Sequence, residues 1–185
     1  MFEKISKEQW MKDMLKNTSL KESAIEAAYE NIKLPTRGSK YSAGYDFYIP
    51  YDFTLGSAKR DVILTGIRWV TELPKSDEDN PMSTTGSLVE NLVVNKVMLL
   101  FARSSVAKEC GFSLSNKVGV IDMDYWTADN EGHIMALVDR STARTDYAFK
   151  TGDRIIQGVI LPFHIEMPDI ILQSARKGGF GSSGK

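Results

Sequence analysis

At 185 residues, with 42% hydrophobic and 25% charged side chains, the chain has the composition of one globular domain large enough to bury a core. A formal net charge of −1 excludes a dedicated nucleic-acid binder, so any anionic ligand has to be met by locally placed cations. The single cysteine, Cys110, excludes an intrachain disulfide, and the lack of a long apolar run or a signal-peptide core predicts a cytoplasmic protein with no membrane partner.

Residues 1–30 read as a helical extension. Ser6-Lys-Glu-Gln9 and Ser19-Leu-Lys-Glu22 are both capping-box patterns, and each opens a helix-compatible run. Met11, Met14 and Leu15 give the first helix an apolar stripe, and Ala24, Ile25 and Ala28 do so for the second. Such a stripe either packs on the body of the protein or docks a regulatory protein partner.

From residue 31 to 172 the texture becomes that of an all-β domain. Strands are predicted at Tyr45–Ile49, Val62–Val70, Lys96–Phe101, Val118–Ile121, His133–Val138 and Arg154–Leu161, with turn residues between them, as in a sandwich or barrel. A polar insertion at 75–90 has no period and reads as an exposed loop, a second surface for a partner. Residues 173–185 form a glycine-rich arm, too poor in side chains to pack by itself and suited to a lid over a ligand. His133, at a strand start, reads as a surface residue, and neither it nor His164 has a second histidine or cysteine at metal-ligand spacing.

Three places carry chemistry. Ser115 to Tyr125 reads as a turn and a strand ending in Asp122, Asp124 and Tyr125, acids and a ring placed where a proton can be moved beside a stacked group. Alone, Asp122 reads better as a turn-forming aspartate that closes a strand. Arg103-Ser104-Ser105 follows a strand and opens a helical turn, a combination of hydroxyls, amides and a guanidinium that suits phosphate. Asp153 and Arg154 before a strand are candidate functional residues, although a Gly-Asp turn explains Gly152 and Asp153 equally well, with Gln157 beyond them.

Five stretches resemble, in order, the five motifs of the trimeric dUTP pyrophosphatases (dUTPases): Ala43-Gly-Tyr-Asp46, Arg103-Ser-Ser-Val-Ala107, Ser115 to Tyr125, Gly152-Asp-Arg-Ile-Ile-Gln157 and Gly178-Gly-Phe-Gly-Ser-Ser-Gly184. The resemblance runs from about Ile32 to the last residue and leaves the first helices uncovered. It implies a jelly-roll (β-clip) homotrimer with shared sites that hydrolyses dUTP to dUMP and pyrophosphate. Asp122 would be the general base and Asp46 would hold Mg²⁺ through a water. Asn116 and the backbone of Gly119, Val120 and Ile121 would read uracil, and Tyr125 would pack under deoxyribose and exclude a 2′-hydroxyl. Arg103, Ser104, Ser105 and Gln157 would bind phosphates. Arg176, Gly179, Phe180, Gly181 and Ser182 would close over the substrate from the arm.

Two departures from the family pattern stand out. Ala175 occupies the usual place of the motif V arginine, with Arg176 one residue later, and the link Trp126–Glu131 after Tyr125 is longer than usual. The related dCTP deaminases carry a catalytic glutamate on the strand after a Gly-His pair; here that strand reads Ile134-Met-Ala-Leu-Val-Asp139, without one. A nucleotide-gated regulatory binder is the other alternative to a dUTPase.

Overall fold

The structure, a computed structural model, describes residues 1–56, 60–72, 95–140 and 145–163. The 75–90 insertion, His164 and the glycine-rich arm lie outside the described residues. Among the described residues twelve short strands and three helices follow one another as β1 (Phe2–Lys4), α1 (Lys7–Asn17), α2 (Glu22–Glu30), β2 (Thr36–Arg37), β3 (Gly44–Tyr48), β4 (Phe53–Leu55), β5 (Arg60–Leu64) and β6 (Ile67–Trp69). They continue as β7 (Lys96–Ala102), α3 (Ser104–Cys110), β8 (Ser113–Leu114), β9 (Gly119–Asp122), β10 (Met135–Asp139), β11 (Tyr147–Phe149) and β12 (Arg154–Pro162), with a 3₁₀ turn at Tyr125–Thr127. Among the described residues the protein is therefore mostly β rather than all-β, and no helix is long and apolar enough to cross a membrane.

The largest sheet has the order β2-β3-β12-β7-β9, and the others are β5-β10-β8, β1-β6 and β11-β4. The alternation of β7 shows how the large sheet faces the core: Met98 and Leu100 are buried, while Val97, Leu99 and Phe101 point to the other side. β9 alternates in the same sense, with Gly119 and Ile121 inward and Val120 and Asp122 outward. Gly119 lets β9 approach β7 closely, since a Cβ there would lie 3.1 Å from Cβ of Leu100.

The apolar run predicted as one strand, Val62–Val70, is two. Gly66 breaks it with φ +71°, a left-handed turn in which a Cβ would meet Ile32 at 2.4 Å, so β5 and β6 leave for different sheets.

The N-terminal segment is built into the core. Its first residues are a strand, not a helix: β1 pairs antiparallel with β6, Phe2 opposite Trp69. Ser6 caps α1 by accepting from the Gln9 amide at 3.1 Å, as its capping pattern predicts. The second pattern does not form, because α2 starts at Glu22 with Lys21 as its cap and no side-chain bond there. Trp10, Met14, Ile25 and Ala28 join the common core, whereas Leu15 is 50% exposed and Ala24 faces solvent. The buried stripe is thus occupied by the body of the protein and is not available to dock a partner. Trp10 also donates its indole N–H to the Ile25 carbonyl at 2.9 Å, which ties α1 to α2.

His133 is fully buried, contrary to its expected surface place. Its Nε2 accepts the Gly66 amide proton at 2.9 Å, so the ring proton sits on Nδ1, which donates to Oδ2 of Asp13 at 2.7 Å. Burial pushes the Asp13 carboxyl up, but hydrogen bonds from His133 and Gln9 outweigh it and hold the group below the usual value. Glu131 behaves likewise, with burial opposed by two hydrogen bonds from Ser6. A folded-state value below the unfolded one means stability that is present above the ordinary carboxylate range near about 4 and lost as pH falls through the folded values. Melting temperature should therefore stay level above roughly pH 5 and drop below it, with amide exchange in α1 rising first. Asp13→Asn should flatten the acid limb; an unaltered limb would show that Asp13 does not carry it.

Candidate active site

Three of the sequence motifs meet on adjacent strands. Asp46 of β3 is opposite Gln157 of β12, which is opposite Phe101 of β7, two residues before Arg103. A Cβ on Gly44 would lie 2.6 Å from Oε1 of Gln157, so the glycine of the first motif makes room for the glutamine of the fourth. Arg103 and Asp46 form an ion pair, Nε to Oδ1 at 2.9 Å, and Arg154 Nη1 donates to Oδ2 of the same carboxylate at 3.2 Å. Asp46 is 6% exposed, and a nearly buried carboxylate is held by exactly such charge pairing.

Arg154, a functional candidate in the sequence beside the Gly152–Asp153 turn, is brought to Asp46 by the fold. Its neighbour Asp153 is the turn former, accepting the Lys150 amide at 2.8 Å. The register that brings Arg154 to Asp46 is tertiary, and nothing within residues 150–157 announces it.

Arg103 directly follows β7 and occupies the N-cap position of α3, whose first residues Ser104 and Ser105 are exposed. First-turn amides have no partner within a helix, so this corner offers donors beside a guanidinium. The helix stops at Gly111, which takes the left-handed conformation at φ 67°.

The third motif is arranged along the edge of the same sheet. Asn116 is exposed in a tight turn where Lys117 adopts φ 64° and the Val118 amide donates to the Asn116 carbonyl at 2.7 Å. Val120 is 60% exposed, and Asp122 ends the strand on the same outer face. Tyr125 is 5% exposed; its hydroxyl donates to the His133 carbonyl at 3.2 Å and accepts from Nδ2 of Asn130 at 3.1 Å.

One chain does not bring all these groups together. Asp122 is opposite Val97, and Arg103 lies six residues further along the same strand direction, about 20 Å at ~3.3 Å per residue. The Arg103 guanidinium, moreover, is turned to Asp46 on the far side of β12. The arm residues Arg176, Gly179, Phe180, Gly181 and Ser182 lie outside the described residues.

The chain is similar to known proteins over most of its length. It is 31% identical over 160 residues to the deoxyuridine 5′-triphosphate nucleotidohydrolase of Lactococcus lactis, covering 84% of this chain and 92% of that one. It is 28% identical over 172 residues to the protein of the same name from Saccharomyces cerevisiae, covering 90% and 97% respectively. The crystal structure of the Streptococcus mutans dUTPase matches with a TM-score of 0.60 at 27% identity, covering 89% of this chain and 97% of that one. No family model matches the chain. The fold is that of the solved dUTPases. The chain belongs to the deoxyuridine 5′-triphosphate nucleotidohydrolase (dUTPase) family.

Proposed function

We propose that the protein hydrolyses dUTP to dUMP and pyrophosphate. The observation that carries this reading is the meeting of Asp46, Arg103 and Gln157, from three separate motifs, in a chain whose relatives are named for this reaction. A water attacks the α-phosphorus, Asp122 takes its proton, and the bond to the bridging oxygen breaks with pyrophosphate leaving. Arg103, the hydroxyls of Ser104 and Ser105 and the Gln157 amide bind phosphate oxygens. Asn116 and the backbone of Gly119, Val120 and Ile121 read the uracil edge, and Tyr125 lies under the sugar. The arm residues Arg176, Gly179, Phe180, Gly181 and Ser182 complete the site; their assignment rests on the resemblance of motif V alone.

The outer face of the large sheet supports a homotrimer of jelly-roll subunits with shared sites. Val159, Leu99 and Val120 form one row across three strands, next to the row of Leu161 and Val97. Val120 is 60% and Leu161 42% exposed, an apolar face suited to a second copy. Asp122 stands at one end of this face and Asp46 with Gln157 at the other, a separation that favours a base supplied to the phosphate corner by a neighbouring copy.

For Mg²⁺, the donor set is sparse. Among the described residues no group of three histidines, cysteines or carboxylates lies together, and both Asp46 oxygens already pair with arginines. That arrangement fits an ion held by substrate phosphates and water, with Asp46 touching it only through one water. Such an ion would neutralise phosphate charge and orient the triphosphate.

Pyrophosphate release should be fast with dUTP and far slower, though measurable at high enzyme concentration, with dCTP, dTTP and UTP. Ammonia from dCTP would instead establish a deaminase, and tight dUTP binding without release would establish a nucleotide-gated binder.

A further inference from the structure

We propose that the N-terminal segment is a positioning device for Tyr125, acting through Asp13, Glu131, Asn130 and His133. The inference rests on the reading that the Tyr125 ring excludes the ribose 2′-hydroxyl.

Both groups that hold the Tyr125 hydroxyl belong to one short turn. Asn130 donates to it and the His133 carbonyl accepts from it. The turn is closed internally, since the His133 amide donates to the Asn130 carbonyl at 3.0 Å and Oδ1 of Asn130 accepts the Gly132 amide at 3.2 Å. It is also tightly folded: Glu131 has φ 57° and Gly132 φ 69°, and a Cβ on Gly132 would lie 2.3 Å from Cα of Trp126. A left-handed glutamate is a conformation the local sequence does not favour, so something outside the turn holds it.

That outside support is α1. At its N-terminus the Ser6 amide donates to Oε2 of Glu131 at 2.8 Å and the Ser6 hydroxyl donates to Oε1. Glu131 thereby occupies the place that the Gln9 side chain takes in a capping box, at a helix end where a carboxylate is favoured. Halfway along the helix, Asp13 accepts from His133 Nδ1, and Gly66 fixes the other ring nitrogen. The helix thus grips residues 131 and 133, on either side of the glycine, while residues 130 and 133 grip the tyrosine. These are charge-assisted bonds from more than a hundred positions away in sequence. The lengthened link after Tyr125 is the part of the chain that makes the grip possible.

The ring of Tyr125 does its work by leaving no room, so a small loss of its anchoring admits the larger sugar without removing the base or the phosphate ligands. At Glu131 and Asp13, which contact the turn and not the substrate, the signature is loss of selectivity with little loss of turnover on dUTP. The test compares kcat/KM for dUTP and UTP in Glu131→Gln, Asp13→Asn and Tyr125→Phe, with Tyr125→Ala as control and melting temperatures for each. Glu131 is partly exposed, so its variant keeps the core intact whatever Asp13→Asn does to folding. The dUTP-to-UTP ratio is expected to fall about fivefold in Glu131→Gln and in Tyr125→Phe, the effect of about one net hydrogen bond. An unchanged ratio in Glu131→Gln and Asp13→Asn, with equal losses on both substrates, would overturn the proposal and leave a purely structural role. Retained selectivity in Tyr125→Ala would overturn the reading of the tyrosine itself, and the inference with it.

Discussion

Asp122→Asn is expected to lower kcat for dUTP by about 10²–10⁴ while KM changes little, the range lost when a positioned general base is removed. The substitution keeps size and one acceptor oxygen but removes the charge that receives the proton. Asp122 ends β9 on its outward face, and the buried neighbours of that strand, Gly119 and Ile121, point the other way. A change at 122 therefore leaves the packing of β9 on β7 in place, and the melting temperature should stay close to that of the parent. A merely turn-closing aspartate would behave in the opposite way, with lower stability and an unchanged rate per folded molecule. Pyrophosphate release under saturating dUTP, read together with a melt, separates the two. Full turnover in the variant would remove Asp122 from the mechanism.

The strands that carry the candidate site were legible in the sequence because their signals are local. β7, β9 and β12 are short apolar runs bounded by turn residues, the last two carrying Val and Ile, and the structure moves their ends by a residue or so. The helical turn after Arg103 and the Ser6 cap were legible for the same reason. What escaped is what depends on register and on distant partners. Asp46 was visible as a motif carboxylate, but its clamp by Arg103 and Arg154 follows from the order β3-β12-β7, which no run of residues displays. His133 was read as a surface residue because its local context is a strand start. Its two partners, Gly66 and Asp13, lie 67 and 120 positions away, and only the left-handed turn at Gly66 aims an amide at the ring. Helical periodicity found Met14, Ile25 and Ala28 but not the strand at Phe2–Lys4, three residues being too few to show a period of two. Long-range polar pairing is where local propensity carries least information, and here it surrounds the site.

Mixing two inactive variants should restore activity, and this is the most direct consequence of the distance between Asp122 and Arg103. If each site takes its base from one copy and its phosphate ligands from another, subunits carrying Asp122→Asn and subunits carrying Arg103→Ala fail separately but complement in one assembly. Each site draws its two halves independently, so an equal mixture in a closed oligomer should recover about one quarter of the parent turnover. The prediction depends on the register: Asp122 is opposite Val97 and Arg103 is at the other end of β7, with its guanidinium engaged by Asp46. Loss of Arg103 leaves that carboxylate with Arg154 alone, so Gln157→Ala provides a second partner variant in which both Asp46 ion pairs persist. The two chains would be refolded together and the whole mixture assayed for pyrophosphate release from dUTP, with distinct tags on the two chains to show that assemblies contain both. Recovery with both partner variants would mean that the site is assembled between copies. No recovery in assemblies shown to contain both chains would mean that one chain closes its own site, which would require a rearrangement of β9 by some 20 Å that its packing on Leu100 opposes.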